Sequence, residues 1–294
     1  MKLEITPLHP LFAAEVAGVQ VASAMEPAAY AAIREALDTY SVLVFRRQEL
    51  DDDGQISFSR CFGELQVTPK VNPGVGSYFA RQSNLDIATN EPIPPDDRRM
   101  LHQKANFLWH TDSSFRKIPS LCSLLSGRVV PPEGGNTEFC TTRAAYDDLS
   151  EATKQRLHGL VAEHSLAHSR SLVDARAMTQ EMRDELPPSR QPLVRLNLAN
   201  GRKAVFAGAH ASHVVGWPVE EGRRLIGELN DFVTQPKYVY SHAWRAGDLV
   251  VWDNRCVLHR ATSYDTVKYK RVMQRTTVEG DAAEYREELR RLLA

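Results

Sequence analysis

Residues 106–115, NFLWHTDSSF, followed by SLCSLLSGRVV (120–130) and NTEFCT (136–141), decide the fold class. These runs are short, rich in aromatic or β-branched residues and bounded by Pro and Gly, the pattern of strands rather than helices. KYVYSHAW (237–244), GDLVVWDN (247–254) and KRVMQRTTV (270–278) repeat it toward the C-terminus, and SVLVFR (41–46) reads as a buried strand upstream. Helices are predicted over 27–40, opening at Pro27, over 51–63 with an acidic start and Gly63 at its end, and over 143–160. Two more are predicted: 219–233, where Leu225, Ile226, Leu229, Phe232 and Val233 form one stripe, and 283–293. The recurring strand–helix alternation of a doubly wound sheet is missing. The expected architecture is mainly β with flanking α-helices, a jelly-roll (double-stranded β-helix) barrel forming a single domain over 1–294.

The chain has 294 residues, long enough to bury a large core without cross-links. Hydrophobic residues make up 43% and the formal net charge is −1, which argues against disorder and gives no support to a nucleic-acid or membrane surface. No apolar run approaches the length of a membrane span. The N-terminal stretch carries Glu4 and Glu15 and does not read as a signal peptide, so a cytoplasmic protein is expected. Cys61, Cys122, Cys140 and Cys256 form no CxxC pair and read as reduced core or pocket residues. Residues 64–105 differ in character, with Pro69, Pro73, Pro92, Pro94, Pro95, Gly74 and Gly76 and little periodicity. Such a segment inside a compact domain is expected to be an active-site lid, here over 66–105.

One histidine of ten lies in an HxD pattern, His110-Thr111-Asp112. On a strand, residues i and i+2 face one side, so the imidazole and carboxylate would project together. That is two-thirds of a 2-His-1-carboxylate triad, which leaves metal positions open. His259, 149 residues later and just after a strongly apolar strand, fits as the third ligand. HxD alone is common by chance; three further features add to it. Gly134-Gly135-Asn136-Thr137 places a turn before a strand with a hydroxyl at its start. Arg271 lies twelve residues after His259, and Arg275 four further on, so both are expected on one strand face. Inward arginines in an apolar barrel are costly unless each meets an anion, and a guanidinium fork takes a carboxylate bidentately. A metal, a hydroxyl and an arginine together describe a 2-oxoglutarate site. A second anion is expected at Arg275, about 13 Å along an extended strand from Arg271.

The sequence resembles the iron- and 2-oxoglutarate-dependent dioxygenases of the taurine dioxygenase / 2,4-dichlorophenoxyacetate dioxygenase family, and the second branch most. The pieces that carry the resemblance are PLHPLFAAEV (7–16), WHTDSSF (109–115), VVPPEGGNTEFCTTRAAYDDL (129–149), GRKAVFAGAHASHVVG (201–216) and GDLVVWDNRCVLHRAT (247–262). It implies Fe(II) on His110, Asp112 and His259, and 2-oxoglutarate as co-substrate on Thr137 and Arg271. It also implies O2 as oxidant and substrate contacts at Asn106 and Arg275. The His259-to-Arg271 spacing matches the herbicide branch and is one residue longer than in taurine dioxygenase. Lys70 resembles a lysine near the substrate end of the herbicide enzymes, whereas NEPIPPDD (90–97) and MLHQK (100–104) match no pattern. His210 and His213 are candidates for substrate contact or for core histidines. Asp112 implies a hydroxylase, since halogenating members lack that carboxylate. The implied reaction hydroxylates a small organic acid, an aryloxyalkanoate-like carboxylate, with release of succinate and CO2. The partner is thus a small acidic molecule, and a homo-oligomer is left open. Alternatives are the same chemistry on a sulfonate, a zinc hydrolase on the same triad, and a non-catalytic anion-binding barrel.

Overall fold

The strand Leu249–Asp253 shows how the sequence builds this fold. All five of its residues are buried, because Leu249 and Val251 pack in one apolar cluster while Val250 and Trp252 pack in another on the opposite face. Val42–Phe45 divides in the same way, Leu43 and Phe45 to one side and Val42 and Val44 to the other. A strand covered on both faces loses its polar alternation and reads as a continuous apolar run.

The computed structural model describes residues 3–22, 25–69, 76–86, 89–94, 97, 100, 103–174 and 177–293. In chain order its strands are β1 (Glu4–Pro7), β2 (Ala14–Ala17), β3 (Val42–Phe45), β4 (Ala80–Ser83), β5 (Cys122–Val129), β6 (Thr137–Thr141), β7 (Val161–His164) and β8 (Ser189–Pro192). They continue with β9 (Val194–Leu196), β10 (Lys203–Val205), β11 (Ala211–Val214), β12 (Val239–His242), β13 (Leu249–Asp253), β14 (Val257–Ala261) and β15 (Val272–Val278). A seven-stranded sheet runs β1-β2-β3-β13-β5-β15-β4; the smaller sheets are β12-β6-β14, β11-β7-β8 and β10-β9. One cluster, with Leu125, Val250, Trp252 and Met273 from the large sheet and Phe139 and Val257 from the β12-β6-β14 sheet, sits between the two. Trp252 and Phe139 are fully buried there. Burial of each stabilises the sandwich by roughly 1.5–3 kcal/mol. The other face of the large sheet packs on the helices Pro27–Tyr40 and Asp52–Arg60 through Ile33, Leu37 and Phe58.

Several expectations are corrected. The chain is mixed α/β, not mainly β, since helices hold at least as many residues as strands. Two short helices, Leu166–Ser171 and Gln180–Glu185, escaped the reading because six residues are too few to show a helical period. The helix expected over 143–160 is two, Thr142–Asp147 and Glu151–Leu157, and Ser150 caps the second by accepting from the Thr153 amide. NFLWHTDSSF is not a strand: Ala105–Phe107 is a 3-10 turn, His110 makes an isolated bridge, and Ser113 has φ +55°. Part of the segment expected to be irregular is ordered as β4, paired with β15. Cys122, Cys140 and Cys256 are buried and free as expected, but the free Cys61 is exposed. None of the described helices is long and apolar enough to cross a membrane.

Candidate active site

His259 lies on β14 and is held from three sides. Its backbone exchanges two hydrogen bonds with His110, 3.1 and 2.7 Å, which brings the distant HxD segment beside it. Trp252 packs its ring 4.7 Å from the imidazole, and Phe139 stacks behind it at 6.2 Å. The His110 and His259 rings are 4.2 Å apart. Asp112 joins them, its Oδ2 lying 3.9 Å from His259 Nε2. One ligand atom from each of His110, Asp112 and His259 falls within 4.8 Å of the others, and all three residues are buried.

His110 sits in its isolated bridge to His259, and Asp112, two residues on, opens the turn that follows. Asp112 is fixed by Ser123 on β5, whose hydroxyl donates to Oδ2 at 2.7 Å, and by Asn254, whose Oδ1 accepts from the Asp112 amide. Asn254 in turn donates to Ser123 Oγ at 3.0 Å. Leu108 O accepts from His110 Nδ1 at 2.7 Å, which leaves the Nε2 lone pair free. Burial, with lesser contributions from neighbouring cations, lowers the pKa of both histidines and favours neutral imidazoles, the form that binds a metal. Burial pushes the Asp112 carboxyl up, but Arg275 and the two histidines outweigh it and hold the group below the ordinary range. Two neutral imidazoles and one carboxylate, converging and buried, are a donor set that fits a divalent metal.

Two cavities meet near the triad and share Gln82, Gln103 and Asn106. The first contains Arg271, which is buried with an Nε that has no hydrogen-bond partner among the described residues. Burial pushes its guanidinium down to about 10, still charged at neutral pH. Asn84 Oδ1 anchors its backbone amide at 2.8 Å, and Tyr264 lies under the guanidinium. A buried guanidinium with spare donors fits a carboxylate. Thr137 begins β6 after the turn at Gly134 and Gly135, both at positive φ, where a Cβ on Gly134 would come within 2.7 Å of Ser263 O. The Trp244 indole donates to Thr137 Oγ1 at 2.9 Å, so the hydroxyl keeps its own proton to offer.

The second cavity is lined by His110 and Asp112 of the triad. Arg81, Arg116, Arg170 and Arg275 line it, and Asp112 is the one carboxylate among its described lining residues. Arg275 Nη1 donates to Asp112 Oδ1 at 2.5 Å. Apolar wall comes from Val67, Tyr78, Phe115 and Leu166. Burial, then the charge of Arg275, pushes Arg170 down to about 10.

Arg271 lies one residue ahead of β15 and Arg275 on it; Met273 between them packs in the cluster between the two sheets, and the two arginines, four residues apart, open into different cavities. Asn106 and His210 line the cavity with the triad, and His210 Nδ1 meets Ser169 Oγ at 2.9 Å. His213 does not line it; it is half-buried beside Ser212 and Glu163. Lys70 lies outside the described residues, as does part of the lid expected over 66–105. Sequence reasoning missed Ser123, Asn254, Trp244 and Arg170. Ser123 had a signal, a polar residue inside the apolar run of β5; Arg170 had none, because its helix went unread.

The family model described as Taurine catabolism dioxygenase TauD, TfdA family matches residues 4–277, and the chain belongs to that family. It is similar to the alpha-ketoglutarate-dependent 2,4-dichlorophenoxyacetate dioxygenase of Burkholderia sp. (strain RASC), 44% identical over 276 residues that cover 92% of this chain and 93% of the relative. The (S)-phenoxypropionate/alpha-ketoglutarate-dioxygenase of Sphingobium herbicidovorans is 36% identical, covering 95% and 96% of the two chains. A crystal structure of AAD-2 in complex with Mn(II) and N-oxalylglycine superposes with a TM-score of 0.88 at 40% identity, covering 95% of this chain and 98% of that one. The protein is therefore an alpha-ketoglutarate-dependent dioxygenase, an oxidoreductase with a His-Asp-His metal site.

Proposed function

We propose that the enzyme hydroxylates a small organic acid, an aryloxyalkanoate-like carboxylate, with release of succinate and CO2. The observation that carries this reading is the cationic second cavity: among its described lining residues four arginines stand against one carboxylate, with an apolar wall, beside His110 and Asp112. An anion with an apolar body suits that lining. In this reading His110, Asp112 and His259 hold Fe(II), and Thr137 and Arg271 hold 2-oxoglutarate, Arg271 on its distal carboxylate. Bound together, the iron and 2-oxoglutarate supply the O2-dependent oxidising chemistry.

The chain's own residues do the rest. Ser123 and Asn254 orient Asp112, and the Leu108 carbonyl fixes the tautomer of His110. Trp244 turns the Thr137 hydroxyl into a donor. Arg275 pairs with the substrate's acid group and sets which carbon faces the metal, while Asn106 and His210 line the path between. Gln66, Val67 and Pro69 belong to the 66–105 lid and exclude water from the mouth of the cavity. With an aryloxyacetate, hydroxylation beside the ether oxygen gives a hemiacetal that collapses to a phenol and glyoxylate. The large sheet and the β12-β6-β14 sheet form the two walls of a double-stranded β-helix barrel in a single domain. A screen of aryloxyacetates, other carboxylates and alkyl sulfonates by substrate-dependent succinate release tests the assignment. Aryloxyacetates should lead. Preference for a sulfonate or for a neutral substrate would overturn it.

A further inference from the structure

Arg170 stands on the helix Leu166–Ser171, one turn after Leu166, so the two residues share a helix face, and both line the cavity that His110 and Asp112 also line. The helix is pinned in place: Ser165 caps it through the His168 amide, and Ser169, on its buried side, meets His210. A guanidinium is thereby held in the same cavity as Arg275, where burial weakens the screening between the two cations. Among the described lining residues only Asp112 can neutralise the pair, and Asp112 is engaged by Arg275 and by the metal site. Arg275 has already committed Nη1 to Asp112, and its buried Nε has no partner among the described residues. It can therefore offer an incoming carboxylate one edge of its fork, whereas a carboxylate has about four acceptor positions.

We propose that Arg170 is a substrate-binding residue that closes the anion site opposite Arg275, so that the substrate's carboxylate is held between two guanidiniums. This rests on the reading of the substrate as an organic acid, and it adds a specificity-determining residue from a helix remote in sequence from the metal ligands. The arrangement selects for a full negative charge. An ester or amide would leave two cations facing each other across the cavity without a counter-ion.

The test is calorimetric titration of phenoxyacetate, and separately of the neutral phenoxyacetamide, into enzyme loaded with Mn(II) and N-oxalylglycine. Wild type, Arg170→Met and Arg170→Lys are compared, with Arg170→Gln replacing the Met variant should that fail to fold. Arg170→Met should weaken phenoxyacetate at least tenfold and change phenoxyacetamide less than twofold. Arg170→Lys should recover most of the loss, and the affinity for N-oxalylglycine should stay within twofold throughout. Equal weakening of acid and amide, or an acid affinity unchanged by Arg170→Met, overturns the proposal. Should the wild type bind no phenoxyacetate, the aryloxyalkanoate reading fails on its own. The same titration with the acid that gives most succinate release then decides the role of Arg170.

Discussion

The two cavities that meet near the triad differ in charge and in how it is held. At one end Arg271 is anchored through its backbone by Asn84 just ahead of β15, with Thr137 on β6 under the Trp244 indole as the hydroxyl read with it. The described lining of that cavity carries one arginine and Lys104, with the hydroxyls of Thr262, Tyr264 and Thr266. The Arg275 cavity has four arginines among its described lining residues: Arg81 and Arg275 stand on β4 and β15, Arg170 on the short helix with Leu166, and loop residues Gln66–Pro69, Phe115 and Arg116 complete it. A buried arginine locked through its backbone suits a partner that never changes, as a co-substrate does. Donors on loops and short helices can be varied without disturbing the barrel, as a substrate pocket requires.

The comparison is broken first at the shared point. His110→Ala or Asp112→Ala should remove metal-dependent turnover, a loss of at least about 1000-fold, from both ends at once. Thermal melting should show the fold retained, since the triad lies at the edge of the apolar cluster rather than within it. Full activity in both variants would remove the triad from its role. Arg271→Ala isolates one end. It should raise the 2-oxoglutarate requirement by an amount equivalent to about 2–5 kcal/mol while leaving the KM for the acidic substrate nearly constant. Arg275→Ala isolates the other, raising KM for the acidic substrate at least about tenfold and that for 2-oxoglutarate far less. If both variants shifted both constants equally, the division into two ends would fail.

The smallest expected effect concerns the support behind the substrate end. His164 closes β7 just ahead of the Arg170 helix, and neither ring nitrogen has a hydrogen-bond partner among the described residues. Burial, with Arg195 nearby, lowers its pKa from 6.5 to about 3. Between those values the unfolded chain binds a proton that the folded chain does not, so stability falls as the pH drops below 6.5. At pH 5 this amounts to roughly 1–2 kcal/mol. His164→Leu should flatten the decline of Tm between pH 7 and 5, and an unchanged slope would show that another group causes it.

How legible each region was follows from the same contrast. The strands SVLVFR, GDLVVWDN and KRVMQRTTV were readable because burial on both faces leaves an apolar run, and His259 was readable as the residue after such a run. The HxD pair was legible by its spacing, but its histidine lies in an isolated bridge and its carboxylate opens a turn, in which Ser113 takes a positive φ that no propensity marks for a serine. Arg275 was placed through its strand. The bulge beside it falls on β5, where Arg128 is passed over between Val129 and Gly127, so β15 keeps the period of two by which Arg271 and Arg275 were read together. Arg170, Phe115 and Leu166 reach the cavity through tertiary packing of short elements, and local pattern carries no trace of it.

The most direct measurement is a crystal structure of the enzyme with Mn(II), N-oxalylglycine and an aryloxyacetate. The account predicts one metal bonded at about 2 Å by His110, Asp112 and His259. It also predicts the distal carboxylate of N-oxalylglycine on Arg271 and the aryloxyacetate carboxylate on Arg275, in separate cavities. A metal bound away from the triad, or both acids held by the same arginine, would contradict it.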